Sequence, residues 1–131
     1  MKKAVLLNSN ISAVIASMGH TDTLTVGDCG LPIRGTERID LCLKKGTPGF
    51  LETLETVLTE LFVEKVILAE EIRTVSPEMH EAILKLLGSD VQVEYVTHAE
   101  LKKRSESSRA VIRTGECTSF ANIILCSGVT F

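Results

Sequence analysis

Apolar residues recur along this chain at two alternating periods, helical and strand-like. Ile11, Val14, Ile15 and Met18 fall at helical spacing and predict a helix over 11–18, with Asn8, Ser9 or Asn10 as its cap. Gly19 suits the left-handed residue that stops it, leaving His20 as the first residue beyond. In Thr23–Gly27, Leu24 and Val26 alternate with threonines, which predicts a strand; it runs into the turn-rich Asp28-Cys29-Gly30-Leu31-Pro32. Arg38–Leu43 is a second strand, broken by Gly46. Thr47 as cap and Pro48 at the first helical position predict a helix to about Leu61, with Phe50, Leu51, Leu54, Val57, Leu58 and Leu61 on one side.

Val66–Ala69 is a buried strand followed by Glu70 and Glu71. Ser76-Pro77 opens another helix, which Gly88 closes. Val91–Val96 alternates as a strand, and Thr97-His98-Ala99-Glu100 has the form of a capping box with His98 at the first helical position. Ala110–Ile112 and Asn122–Cys126 complete the strands, and Ala4–Leu7 is a strand or a packed N-terminal segment. Alternation of strands and helices predicts an α/β sandwich with a mostly parallel sheet flanked by helices. No repeat, low-complexity tract or linker interrupts residues 1–131, so one domain is the simplest account.

Composition narrows the function classes. With 44% apolar and 24% charged residues the chain has a globular balance, and a net charge of −3 lacks the basic footprint of a nucleic-acid binder. Lys102, Lys103 and Arg104 stand among acidic residues and serines, as on a solvated helix face. No apolar run reaches the roughly 18–20 residues that span a bilayer, and the N-terminal apolar run is too short for a signal peptide. The four cysteines form no C-x-x-C pair and are expected as reduced thiols of a cytoplasmic protein. Mean hydropathy is +0.22 and the tail from Ala121 is nearly uncharged, so some apolar surface is expected in subunit contacts.

Four places could line a pocket at the strand ends, where α/β folds bind ligands: His20, Asp28, His98, and the polar loop from Gly115 to Asn122. Each has a plainer reading. His20 could satisfy a helix-end carbonyl, Asp28 could form an ordinary turn, and His98 could simply start a helix. His80, between Glu78 and Glu81, reads as a surface residue, and Glu70-Glu71 as a solvated pair. No G-x-G-x-x-G, P-loop or G-x-S-x-G sequence occurs, and the spacing of His20, Asp28 and His98 matches no metal motif.

Several segments in register resemble the ribose pyranase and fucose mutarotase family. They are Leu7-Asn8-Ser9, Gly19-His20-Thr21-Asp22, Asp28-Cys29-Gly30-Leu31-Pro32-Ile33, Arg38-Ile39-Asp40-Leu41, Ala69-Glu70-Glu71-Ile72, Val111-Ile112-Arg113-Thr114-Gly115-Glu116 and Ala121-Asn122-Ile123-Ile124-Leu125, with Gly128-Val129 and Phe131. Leu31-Pro32-Ile33 and Ile39-Asp40 are similar to the ribose branch. The resemblance implies an isomerase that interconverts the pyranose and furanose forms of D-ribose without metal or cofactor. It also implies a ring-like homo-oligomer with sites near subunit contacts; the absence of a basic footprint and of a spanning apolar run predicts neither nucleic acid nor membrane as partner. On this likeness His20 is the catalytic histidine, and Asp28, His98, Phe120, Ala121 and Asn122 bind sugar. The family usually has tyrosine where this chain has Phe120 and often proline in place of Ser119. A pentose or fucose-type mutarotase and a non-catalytic sugar-binding subunit are the alternatives.

Overall fold

Six short strands make one sheet in the computed structural model, which describes residues 1–131. In chain order the elements are α1 (Ser9–Ser17), β1 (Thr23–Gly27), β2 (Glu37–Asp40), α2 (Phe50–Leu58), β3 (Val63–Ala69) and α3 (Ile72–Val75). They continue with α4 (Pro77–Leu87), β4 (Gln92–Val96), α5 (His98–Ser105), β5 (Ala110–Arg113) and β6 (Ile123–Ser127). The strands lie in the order β2-β5-β1-β6-β3-β4. β5 runs parallel to β1 and β2, and β3 parallel to β4, while β6 is antiparallel to both β1 and β3. Five strands therefore point one way, and the expected mostly parallel sheet is found. The carboxyl ends of those five strands share one edge with the start of β6. Their amino ends share the opposite edge with its finish.

Strand alternation sorts the core into two layers. Leu24, Val26, Val66, Leu68, Ile123 and Leu125 face helices α1, α2 and α4, meeting Ile11, Val14, Phe50, Leu54, Val57 and Ile83. Ile67, Ala69 and Ile124 face the other way, onto Leu101 of α5. Each of the valine, leucine, isoleucine and phenylalanine side chains among them contributes about 1.5–3 kcal/mol on burial. Thr25, also on the α5 face, is fully buried, and its hydroxyl is satisfied by Ser108 at 2.7 Å.

Several boundaries differ from the sequence expectation, each for a local reason. Asn8 caps α1 through Ile11 N–H, as expected. Gly19, however, is not left-handed; the positive φ falls at Thr21, at 70°. Asp22 N–H donates to Gly19 O, so His20 stands at the corner of a tight turn whose third residue is a β-branched side chain where glycine is normally preferred. α2 starts at Phe50 rather than Pro48, with Gly49 as cap in place of Thr47, and it ends at Leu58 rather than Leu61. The Thr47–Pro48 peptide is cis. Gly115 packs against this turn, accepting Gly46 N–H at 2.6 Å and donating to Pro48 O at 2.8 Å. A Cβ on Gly115 would overlap the backbone of Thr47 and Lys44. Pro48 is thereby tied to the β5–β6 loop instead of the helix.

β2 stops at Asp40 rather than Leu43, because Asp40 Oδ1 accepts Cys42 N–H and turns the chain. Ala4–Leu7 forms no strand, although Leu6 is buried. The four-residue α3 was not predicted, being too short to show a period. β1, α4, and the starts of β4 and α5 agree with the expectation to within one residue.

Candidate active site

The carboxyl edge of the sheet gathers Asp28, His98, Phe120, Ala121 and Asn122. Asp28 leaves β1 as a turn residue, with its Oδ1 accepting Gly30 N–H at 2.9 Å. Its other oxygen accepts Asn122 Nδ2 at 2.9 Å, while Asn122 Oδ1 accepts Asp28 N–H at 3.0 Å. This reciprocal pair holds the carboxylate in one orientation. It requires Gly27, since a Cβ there would stand 2.9 Å from Asn122 Oδ1 and 2.6 Å from Leu31 Cδ2. Asn122 is fully buried, so its amide serves Asp28 first.

Phe120 adopts φ 64°, a left-handed conformation that costs a non-glycine residue energy and clusters at functional sites. The turn is closed by Asn122 N–H donating to Phe120 O at 2.8 Å. The Phe120 ring is half-buried and meets His98 edge-to-face, centroids 5.1 Å apart and planes at 84°. Ala121 is fully buried in the core, so its side chain does not face the edge. That departs from its expected place in a sugar pocket; only its backbone lies in the loop.

His98 opens α5, as the capping pattern predicts, with Thr97 Oγ accepting Glu100 N–H at 3.2 Å. The Glu100 carboxylate completes no box, because it bonds Arg104 instead. Glu71 supplies the second cap, both its oxygens accepting His98 N–H at 3.0 Å. The imidazole Nδ1 is the one buried side-chain nitrogen or oxygen without a hydrogen-bond partner in the protein. Burial pushes the His98 pKa below the ordinary histidine value and Lys102 adds to the push, against opposition from Glu71 and Asp28. The ring is therefore neutral near pH 7, with one nitrogen accepting and the other donating.

His20 lies at the other edge. The turn that carries it is stitched to the end of β6, where Thr21 N–H donates to Ser127 O at 2.9 Å. Its Nε2 stands 3.1 Å from Glu64 at the start of β3, and both side chains are about half exposed (51% and 44%). A hollow of about 270 Å³ beside it is lined by Met18, Phe62, Gly128 and Phe131 among others. Strand β1 separates His20 from Asp28, and at about 3.3 Å per residue that is roughly 13 Å or more. Within one chain His20 thus does not meet Asp28 or His98, and the three form no common metal-binding group. None of the five surface hollows is lined by Asp28, His98, Phe120 or Asn122.

Three acidic residues that sequence reasoning missed support these positions. Glu64 engages His20, and Glu71 caps α5 rather than being solvated. Glu116 accepts Phe50 N–H at 3.0 Å and Thr118 Oγ at 2.7 Å, tying the Phe120 loop to α2. Partial burial would raise the Glu116 pKa, but these N–H and hydroxyl donors hold it below the usual carboxylate range. The contacts of Glu64 with His20, Glu71 with His98 and Glu116 with Phe50 each span 27 residues or more, so no local pattern announces them. His80 is not the free surface residue expected: it is half-buried, with Nε2 2.7 Å from the Tyr95 hydroxyl.

The fold and its polar carboxyl edge define the class: a small α/β protein with one mixed, mostly parallel sheet and its ionisable groups gathered at the strand ends. Along 1–130 the chain matches the sequence profile of the RbsD / FucU transport protein family, and it belongs to that family. It is 56% identical over its full length to a D-ribose pyranase of Clostridium perfringens, all of which is covered. It is 51% identical, again with full coverage of both chains, to a D-ribose pyranase of Actinobacillus pleuropneumoniae. The structure of Bacillus subtilis RbsD complexed with D-ribose superimposes with a TM-score of 0.96 at 43% identity, covering both chains fully. A fucose mutarotase from Streptococcus pneumoniae, at 20% identity and full coverage of both chains, shares the fold with a TM-score of 0.80. No helix is long and apolar enough to cross a membrane.

Proposed function

We propose that this chain is an isomerase that interconverts the pyranose and furanose forms of D-ribose. The observation that carries the reading is full-length identity of 50–56% to D-ribose pyranases, together with the near-superposition on a ribose-bound relative. Opening the pyranose needs a base at the anomeric hydroxyl and an acid at the departing ring oxygen. Reclosure needs a base at the C4 hydroxyl and an acid at the carbonyl oxygen that becomes the new anomeric hydroxyl. Imidazole serves both directions near pH 7.

In this reading His20 gives the proton to the ring oxygen and Asp28, held by Asn122, fixes a sugar hydroxyl. His98 Nδ1 takes a hydroxyl as the partner it lacks within the protein, and the Phe120 ring covers an apolar sugar face. Since His20 and Asp28 occupy opposite edges of one sheet, the complete site is built from two copies, the turn of one copy reaching the Asp28 edge of another. Exposed Phe62, Val129 and Phe131 around the His20 turn supply apolar surface for that contact. The assembly is a homo-oligomer of cytoplasmic type.

Saturation-transfer NMR on D-ribose tests the reading. Exchange between pyranose and furanose signals should rise in proportion to added protein. Exchange confined to the two pyranose anomers would make the chain a mutarotase, and no enhancement would leave only sugar binding.

Phe120→Tyr restores the family's usual hydroxyl. One added hydrogen bond of about 0.5–1.5 kcal/mol predicts ribose binding roughly two- to tenfold tighter. Calorimetric titration giving unchanged affinity would show that this position faces away from the sugar.

His98 also sets a pH dependence of stability. The unfolded chain carries an ordinary histidine of pKa about 6.5, whereas the folded pKa is lower. Between the two values the unfolded state binds more protons, so stability is complete above about pH 6.5 and falls as pH drops below it. His80, also lowered by burial, acts with the same sign. Thermal melts between about pH 7.5 and 5.5 should show the decline, and His98→Gln should make it shallower. Equal slopes in the two proteins would remove His98 as its source.

A further inference from the structure

Two thiols face each other across the loops that frame the Asp28 edge. Cys29 Sγ lies 3.8 Å from Cys117 Sγ, and both residues are reduced. Their backbones run side by side, with Cys29 N–H donating to Glu116 O at 2.9 Å. Arg113 Nε donates to Cys29 O at 3.1 Å and steadies the same turn. Cys117 is exposed and Cys29 partly so, whereas Cys126 is half-buried on the α5 face of the sheet. Nothing in the proposed ring opening uses either thiol.

We infer that Cys29 and Cys117 form an oxidation site, at which a peroxide links the Asp28 turn to the Phe120 loop through a disulfide. The hydrogen bond with Cys117, helped by partial burial, holds the Cys29 thiol above its ordinary pKa, so the exposed Cys117 meets the oxidant first. Its thiolate attacks one peroxide oxygen, the O–O bond breaks, and a sulfenic acid and one water result. Cys29, giving up its proton, then attacks the Cys117 sulfur; the S–S bond forms, the S–O bond breaks, and a second water leaves. Two thiols are oxidised by two electrons and one peroxide is reduced to two waters.

A disulfide needs its sulfurs about 2.0 Å apart, so the pair must close by roughly 1.8 Å. Cys29 is bonded directly to Asp28, and Cys117 lies three residues before Phe120. Closure therefore draws on the two segments that the proposed site depends on. Displacements of about 1 Å at such positions can cost up to 10²-fold in rate. The bond is expected to slow ribose exchange by about tenfold or more, an effect that rests on the function proposed above.

The test treats the whole protein with hydrogen peroxide, then digests it under non-reducing conditions for mass spectrometry. A peptide joining Cys29 to Cys117, two hydrogens lighter than the sum of its parts, is expected, and dithiothreitol should remove it. It should form equally in a Cys42→Ser/Cys126→Ser double variant. Ribose exchange should fall on oxidation and recover on reduction, while Cys29→Ser keeps its exchange rate after brief peroxide treatment. Absence of the 29–117 peptide, or a bond between other cysteines, would overturn the site. A 29–117 bond that leaves exchange unchanged would overturn its effect on the reaction. The linkage is read by mass whether or not the protein exchanges ribose, so failure of the functional reading shows separately, as no exchange in the reduced protein.

Discussion

Replacing His20 by alanine should slow pyranose–furanose exchange by about 10²- to 10⁴-fold, the usual contribution of a positioned acid–base group. The fold should survive. The His20 side chain is half exposed and its polar contact is the Glu64 carboxylate, an exposed pair of a kind worth about 0–1 kcal/mol. A melting curve close to the wild type, together with collapsed exchange in saturation-transfer NMR, is the expected pair of results. A folded His20→Ala protein with full activity would move the proton-transfer role elsewhere, and His98, with its unpartnered nitrogen, would be the next candidate.

Mixing two inactive variants should bring activity back. His20→Ala removes the proton donor, and Asp28→Asn removes the carboxylate that Asn122 and Gly30 hold in place. If each site takes His20 from one copy and Asp28 from another, neither variant alone has an intact site. Equal co-expression places an intact His20 against an intact Asp28 in about one site in four, so exchange should reach about a quarter of the wild-type rate. Purified variants assayed side by side, without mixed assembly, should remain near zero. Co-expressed protein that stays as inactive as its parents would mean that the two residues act within one chain, against the strand geometry described here.

The sequence made the local elements legible and left their assembly hidden. Alternation in Thr23–Gly27 and the caps at Asn8 and Thr97 depend on neighbours a few residues away, and each reappears in the fold. The left-handed residue after α1 falls at Thr21 and not at Gly19: glycine tolerates that backbone without a steric cost, but the turn closed by Asp22 N–H on Gly19 O puts the strain on a β-branched residue instead. The start of α2 was misplaced because Gly115, 67 residues beyond Pro48, decides where the Pro48 carbonyl bonds. The site was legible as residue types, since Asp28, His98, Phe120 and Asn122 do converge. Their distance from His20 was not, because it depends on strand direction, and the pairings that fix it join residues far apart in the chain, such as Thr25 with Val111 and Leu68 with Ile123.

The placement of β6 has a consequence for how the molecule is made. This strand follows all the others in the chain, yet it lies between β1 and β3. Until it emerges from the ribosome, a β2-β5-β1 half and a β3-β4 half have no strand joining them. β1 and β3 meanwhile offer open edges on which other strands could grow. Asn122, which immobilises Asp28, arrives with the same segment. A chain that lacks β6 therefore lacks the partner that orients the Asp28 carboxylate, and adding this one strand both joins the two halves of the sheet and supplies Asn122.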